Sequence, residues 1–287
     1  MKRFSLRFTL AALFCGPLSA LAMKPPTFSF ETVVFPNDTF TQLLGINSDR
    51  KIAGYHGMDV NKGFVLTLPN QFTDENFTDS AQTQVIGINK AGDTDGFYID
   101  QGGVTHGFLD INGTFSTVDF PGTNFNQLLG LNDVGAAAGY YQEDNGNQHA
   151  YVYDQHGGVF LVLTIPGAVS AQATGVNNSG AISGFYVDAE GTNHGYLLTL
   201  GTLTVLDFPG ATFTQALGVN KSGHVVGTYT DANGGMHGFI WNQGVFQTVD
   251  DPDGIGTTII NGINNRGDIV GFFVDGDGNT DGFVGKR

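Results

Sequence analysis

The chain has 287 residues, with 12 basic and 27 acidic side chains, a formal net charge of −15 and 43 glycines. That acidic balance excludes nucleic acid and anionic membrane surfaces as partners, because both select for basic patches. The glycines do not recur every third residue, so collagen is excluded, and 40 % hydrophobic residues are too many for a mostly disordered chain.

At the N-terminus Lys2, Arg3 and Arg7 precede an apolar stretch, Phe8 to Phe14, that runs on to Ala20-Leu21-Ala22. A basic start, a short apolar core and a small-x-small ending describe a secretory signal peptide over residues 1–22. The stretch is short and broken by Gly16-Pro17, unlike a membrane-spanning helix. A buried N-terminal helix and a lipidated Cys15 are the alternatives; bulky Phe14 stands where lipidation wants a small residue. Cleavage after Ala22 leaves residues 23–287 as one cysteine-free domain, which excludes disulfides, a thiol nucleophile and thiolate zinc sites. The expected location is secreted, extracellular or periplasmic, and no later segment resembles a membrane span.

From there the chain repeats. A Gly-aliphatic-Asn triplet ends at Asn47, Asn89, Asn132, Asn177, Asn220 and Asn264, at spacings of 42, 43, 45, 43 and 44 residues. Seven residues after each asparagine stands a glycine: Gly54, Gly96, Gly139, Gly184, Gly227 and Gly271. Each unit resolves into four short strands, A to D. In the fifth unit, strand A (Gln215 to Asn220) leads through an Asn-x-x-Gly turn to strand B (His224 to Thr230), in the style of a type I turn. A polar loop leads to strand C at His237, and a further turn leads to strand D, Val245 to Asp250. Proline then breaks the pairing at Pro36, Pro121, Pro166, Pro209 and Pro252, since it cannot donate to a ladder.

Four antiparallel strands per ~43 residues, six times over, predict an all-β fold, a six-bladed β-propeller. A β-solenoid with two coils per unit is the alternative. The ends of the repeat favour the ring. The last unit stops without a strand D, while Phe28 to Pro36 is an orphan strand D at the start. A ring lets that strand complete the last blade and removes an exposed edge.

The repeats also resemble the bacterial extracellular HAF-repeat family, over residues ~27 to 287. The resemblance rests on Gly-Ile-Asn-Asn-x-Gly units followed by a His-Ala-Phe-like motif. Here that motif reads His106-Gly107-Phe108, His149-Ala150-Tyr151, His194-Gly195-Tyr196 and His237-Gly238-Phe239. Lys62-Gly63-Phe64 and Asp281-Gly282-Phe283 depart from it by lacking the histidine. The resemblance implies a secreted or surface-associated protein and carries no catalytic residues with it.

Several columns invite chemistry. The four motif histidines sit on the third strand out, roughly 15 Å from the axis at ~4.8 Å per strand. Neighbouring copies are therefore too far apart to share an ion, and each imidazole is expected to bond the loop before strand C. The six asparagines are expected to bond their own turns rather than a sugar. The glycine columns are expected to make room for the rings of Tyr98, Tyr141, Tyr186, Tyr229 and Phe273, with His56 as a ring substitute in the first unit. Arg266-Gly267-Asp268 spells an integrin-binding tripeptide but occupies a turn position. Asp275, Asp277, Asn279 and Asp281 are spaced 1, 3, 5 and 7 as in calcium loops, without the glycine at 6 or the distal glutamate; calcium is the one cofactor considered.

Propeller connectivity puts B–C loops and D–A junctions on one face, where more than half of the acids fall; most basic residues fall on the other. Two function classes follow. One is a secreted, non-catalytic binding or scaffold module whose acidic face meets an extracellular or envelope ligand, carbohydrate or basic protein. The other is an extracellular enzyme acting on polysaccharide through paired carboxylates. No Ser/His/Asp set, phosphate loop or dinucleotide fingerprint stands in a suitable context.

Overall fold

The computed structural model describes residues 27–287; the predicted signal peptide, with its Cys15, lies outside the described residues. The chain opens with β1 (Ser29–Val33). Blade one is β2 (Thr41–Ile46), β3 (Lys51–His56), β4 (Lys62–Thr67) and β5 (Gln71–Asp74). Blade two is β6 (Gln82–Ile88), β7 (Thr94–Ile99), β8 (Thr105–Ile111) and β9 (Thr114–Val118). Blade three is β10 (Asn126–Leu131), β11 (Ala136–Gln142), β12 (Gln148–Asp154) and β13 (Val159–Val162). Blade four is β14 (Ser170–Val176), β15 (Ile182–Val187), β16 (Asn193–Thr199) and β17 (Thr202–Leu206). Blade five is β18 (Phe213–Val219), β19 (Val225–Thr230), β20 (Met236–Asn242) and β21 (Val245–Thr248). Blade six has β22 (Thr258–Ile263), β23 (Ile269–Val274) and β24 (Thr280–Lys286). Its fourth strand is β1, paired antiparallel to β24 from Ser29↔Lys286 to Val33↔Gly282.

Six four-stranded antiparallel sheets thus form a closed six-bladed β-propeller, with the N-terminal strand completing the last blade. The solenoid alternative falls on this pairing.

Two glycine columns explain how the ring fits together. The inner strands approach one another at Gly45, Gly87, Gly130, Gly175, Gly218 and Gly262. A Cβ on Gly45 would lie 2.5 Å from Ile86 O, and one on Gly262 would lie 2.5 Å from Leu44 O. Only glycine lets six strands crowd about one axis at this level. On strand B, a Cβ on Gly54 would meet Gln42 O at 2.3 Å and the Phe64 ring at 2.8 Å. The ring covering this glycine comes from strand C: Phe64, Phe108, Tyr151, Tyr196, Phe239 and Phe283, all fully buried. Each contributes about 2–3 kcal/mol by burial. The sequence pattern assigns the strand B rings to this place, and the structure does not. In blades two, three and five those rings stack on the aromatic residue after the preceding strand D, Phe77–Tyr98 at 3.8 Å, Phe120–Tyr141 at 3.9 Å and Phe208–Tyr229 at 3.6 Å. His56 lies on Phe35 at 3.5 Å and 4°, as its ring-substitute reading requires.

The core lies in the seams between blades. Leu43, Phe64 and Leu66 of blade one, for example, cluster with Val270 and Val284 of blade six.

The first-to-last seam carries one ion pair. In five blades the A–B turn ends on a left-handed glycine (Gly92, Gly135, Gly180, Gly223, Gly267); in blade one the left-handed residue is Arg50, at φ 61°. That conformation costs a side-chain-bearing residue about 1–2 kcal/mol. It lets the guanidinium bind Asp268 of blade six in a fork, Nε–Oδ2 2.8 Å and Nη2–Oδ1 3.1 Å. Burial pushes the Asp268 carboxyl up, but Arg50 and Asn264 outweigh it and hold it below the usual range. Since its folded pKa is depressed, the stability it contributes is present above the unfolded pKa and lost as pH falls through the folded one.

Arg50→Ala leaves a buried carboxylate unpaired and is expected to cost about 2–4 kcal/mol at pH 7, discounted for the partly exposed arginine. Denaturant melts would check this, and adding Asp268→Asn should restore part of the loss.

Candidate functional site

The asparagine column forms a collar at the A–B end of the axis. Each Oδ1 accepts backbone N–H groups of its own turn, as from Asp49 and Lys51 onto Asn47, both at 3.0 Å. This is the expected turn role. Each Nδ2 of Asn47, Asn132, Asn177, Asn220 and Asn264 also donates to the backbone carbonyl of the next blade's asparagine, at 2.9–3.2 Å. Only Asn89 turns away, onto Asp93 at 3.0 Å. All six are buried, and five of them hold neighbouring blades together.

The four motif histidines end aromatic stacks on the opposite face. His106, His149, His194 and His237 lie 4.9–5.1 Å from Tyr98, Tyr141, Tyr186 and Tyr229. In three blades the imidazole stands between two carboxylates. His194 Nδ1 is 3.0 Å from Asp207, at the end of strand D, and Nε2 is 3.1 Å from Asp188, in the B–C loop. His106 and His237 repeat this with Asp119 and Asp100, and with Asp250 and Asp231. His149 faces Glu143 alone, at 3.3 Å. The bond to the loop was expected; the second carboxylate was not legible, because it lies 13 residues further on, across the C–D hairpin. Burial opposes the charged form of His194 and His237, yet their carboxylate partners outweigh it and raise both pKa values.

Asp275, Asp277, Asn279 and Asp281 are not drawn into a cage. Asp275 Oδ1 accepts from the Asp277 and Asn279 N–H groups at 2.9 and 2.8 Å, and Oδ2 accepts from Asn279 Nδ2 at 2.9 Å. That carboxylate caps its own hairpin loop, and among the described residues no group of three or more His, Cys, Asp or Glu converges as a metal cluster. Asp281 takes the histidine position of blade six. Its burial and the nearby Asp275 charge raise its pKa, while bonds from Asn279 lower that of Asp275. The Arg266-Gly267-Asp268 tripeptide is structural, with Asp268 buried against Arg50.

Charge separates between the faces. Short bridges such as Phe40↔Thr280 and Thr105↔Phe125 tie the start of strand A to the start of the preceding blade's strand C, so B–C loops and D–A junctions share one face. Of the eight basic residues described, Arg50, Lys51, Lys90, Lys221, Arg266, Lys286 and Arg287 lie at the other end, and Lys62 alone on the acidic face. Face carboxylates at Asp100, Asp188 and Asp231 have lowered pKa values, held by loop N–H groups and histidine. Two acids sit instead inside blade seams. Burial pushes Asp95 up to about 7 against hydrogen bonds from Gly87 and Gly130. Glu75 rises to about 7 through burial, opposed by the Thr94 hydroxyl and reinforced by Asp110.

The axis itself holds the feature that sequence reading missed. A channel of about 400 Å³ runs down it, ringed near the acidic face by Gln42, Gln84, Gln127, Gln172 and Gln215 with Tyr55, Phe97 and Phe185. Deeper, it is lined by Leu44, Ile86, Leu129, Thr174, Leu217 and Asn261. These deeper residues are the extra ones at a β-bulge in every strand A, where the register shifts between Leu43 and Gly45 and at each equivalent. A bulge re-aims a side chain, here toward the axis. Two tyrosines steady the amides, Tyr55 to Gln42 Oε1 at 2.7 Å and Tyr140 to Gln127 Oε1 at 2.8 Å. The available signal was a glutamine five residues before the asparagine in five of six repeats.

No family profile matches this chain, and no curated protein sequence does. Solved structures share the fold. A TolB candidate from Agrobacterium tumefaciens aligns at TM-score 0.63 and 13 % identity, covering 85 % of this chain and 89 % of that one. TolB from Acinetobacter baumannii aligns at TM-score 0.57 and 12 % identity over 86 % of this chain, which spans 63 % of its length. A candidate gluconolactonase aligns at TM-score 0.54, 16 % identity, 91 % and 93 % coverage. A six-bladed Aleuria aurantia lectin with a fucose recognition mode aligns at 0.53, 10 %, 85 % and 90 %.

Two titration experiments follow. A raised histidine pKa stabilises fully below its unfolded value and loses that contribution as pH rises through the folded one. His194→Asn should therefore lower Tm by about 2–4 °C at pH 6, with the gap narrowing by pH 9. For Asp95 the folded pKa lies above the unfolded one, so its ionisation destabilises as pH rises from about 4 to about 7. Asp95→Asn should leave Tm unchanged at pH 4.5 and raise it at pH 8, both read by thermal melts across pH.

Proposed function

We propose that the protein is a secreted, non-catalytic binding module of the extracellular HAF-repeat type, whose acidic loop face docks onto a basic patch of an extracellular or envelope protein. The observation that carries this is the separation of charge. The loop face presents carboxylates kept ionised by their own loops, while seven of the eight described basic residues stand on the far face. Such a field steers and orients an oppositely charged partner. Even repetition supports recognition over catalysis, because the motif acids serve as histidine partners and loop caps in blade after blade. A six-bladed ring described as recognising fucose is a precedent for binding on this architecture. The signal peptide expected from residues 1–22 supports a location outside the cytoplasm.

An enzyme acting on polysaccharide is the second reading, and one observation favours it. Asp275 and Asp281 are neighbouring carboxylates whose pKa values move in opposite directions, as an acid and a base require.

The secreted chain is expected to bind a basic peptide or protein on a biosensor and to ignore an acidic one, with affinity falling as salt rises. Neutralising three exposed acids that make no side-chain hydrogen bonds (Asp144→Asn, Glu190→Gln, Asp253→Asn) should weaken binding by about tenfold. Affinity indifferent to salt and to these changes would overturn the proposal. Polysaccharide turnover abolished by Asp281→Asn would establish the enzyme reading instead.

A further inference from the structure

The axial channel is chemically unlike the face it opens on. The chain carries 27 acidic and 12 basic residues, yet among the described residues no Asp, Glu, Lys, Arg or His lines the channel. Its mouth is amide and aromatic; its depth is aliphatic. We propose that this channel is a binding pocket for a neutral saccharide bearing an apolar substituent, such as a methyl group or an aglycone. The inference rests on the binding-module reading and names a ligand class for its axis.

Each ligand property has a cause in the lining. A charged ligand would be desolvated with no counter-charge to meet it. A pure hydrocarbon would leave the amides of the mouth without partners. A primary amide both donates and accepts, as a sugar hydroxyl does. The five glutamines project from one level of a ring, which suits hydroxyls spread around the rim of a pyranose. A peptide backbone, by contrast, sets its polar groups along a line. The rings of Tyr55, Phe97 and Phe185 offer flat apolar surface among those amides. Below them Leu44, Ile86, Leu129 and Leu217 await an apolar group that enters first. The volume of about 400 Å³ falls within the ~300–1,000 Å³ typical of small-molecule sites.

The glutamines are also part-spent in a useful way. Tyr55 and Tyr140 occupy the carbonyl ends of Gln42 and Gln127, leaving their NH₂ groups for a ligand. Gln84 and Gln172 spend their NH₂ groups on Asn61 and Gln148, both at 2.7 Å, leaving carbonyls. Donors and acceptors therefore alternate around the mouth, in the chain order Gln42, Gln84, Gln127, Gln172. Gln215 makes no side-chain hydrogen bond among the described residues, so changing it breaks nothing inside the protein.

The test is calorimetry and saturation-transfer NMR on the secreted chain with methyl glycosides and 6-deoxyhexoses, the matching uronates and amino sugars, and the unsubstituted hexoses. The neutral, methyl-bearing sugars are expected to bind, with the charged analogues at least about tenfold weaker. Gln215→Glu is expected to weaken binding by about tenfold, and Leu217→Trp to abolish it by filling the channel; if the tryptophan variant does not fold, Gln215→Glu decides. Equal binding of uronates, or no loss in Gln215→Glu, overturns the proposal. If no sugar binds while the basic peptide still does, the channel assignment fails and the loop-face reading stands. Loss of both sinks both.

Discussion

Everything in this fold depends on how closely six inner strands can approach one axis. Backbone meets backbone at the strand A glycines, where at five of the six a Cβ would lie within 3 Å of the neighbouring blade's main chain. Two residues along the chain, the asparagines turn that proximity into directed bonds. The carbonyl end of each amide shapes its own turn, while the amino end of five of the six reaches the next blade's main chain. Buried amides with both ends satisfied favour one register over others. With the inner strands set, the outer strands fan out, and the seams between blades fill with aromatic and aliphatic side chains.

Departures from the repeat are as informative as the repeat. Arg50 occupies a glycine's left-handed position and ties the A–B turn of blade one to Asp268 of blade six. Glu75 stands at a position where other blades bury Val33, Val118, Leu206 or Val249, and Asp95 where they place Ala53, Ala138 or Val270. Both acids shift their pKa values upward in response to burial. Blade six has Asp281 in place of the histidine and, on the strand contributed by the other end of the chain, Val34 in place of the strand D acid. Local rules break where closure or burial imposes a competing demand.

The candidate surfaces were unevenly legible. Loop polarity and strand alternation were enough to separate an acidic face from a basic one, since antiparallel connectivity forces alternate loops to opposite ends. The histidines were visible as a column, and one of their two partners lay in the adjacent loop. Asp119, Asp207 and Asp250 came as their second partners only through hairpin register. The glutamine ring was present as a pattern, but alternation along strand A does not say which side faces an axis. The bulge that turns Leu44 and its equivalents inward has no sequence signature of its own.

Sequence periodicity alone determined the architecture: repeat length set the blade, strand count set the sheet, and an orphan strand at one end with a missing one at the other demanded a ring. These follow from local rules, namely turn chemistry, proline punctuation and β-propensity, which act over a few residues at a time. Tertiary structure alone decided what the columns do. The asparagines became inter-blade clamps, an uncharged channel opened on a charged face, and one arginine tied blade one to blade six. Each of these joins residues brought together by the ring and not by the chain, such as Arg50 and Asp268, 218 residues apart. Contacts of that kind depend on closure geometry, which no local pattern encodes.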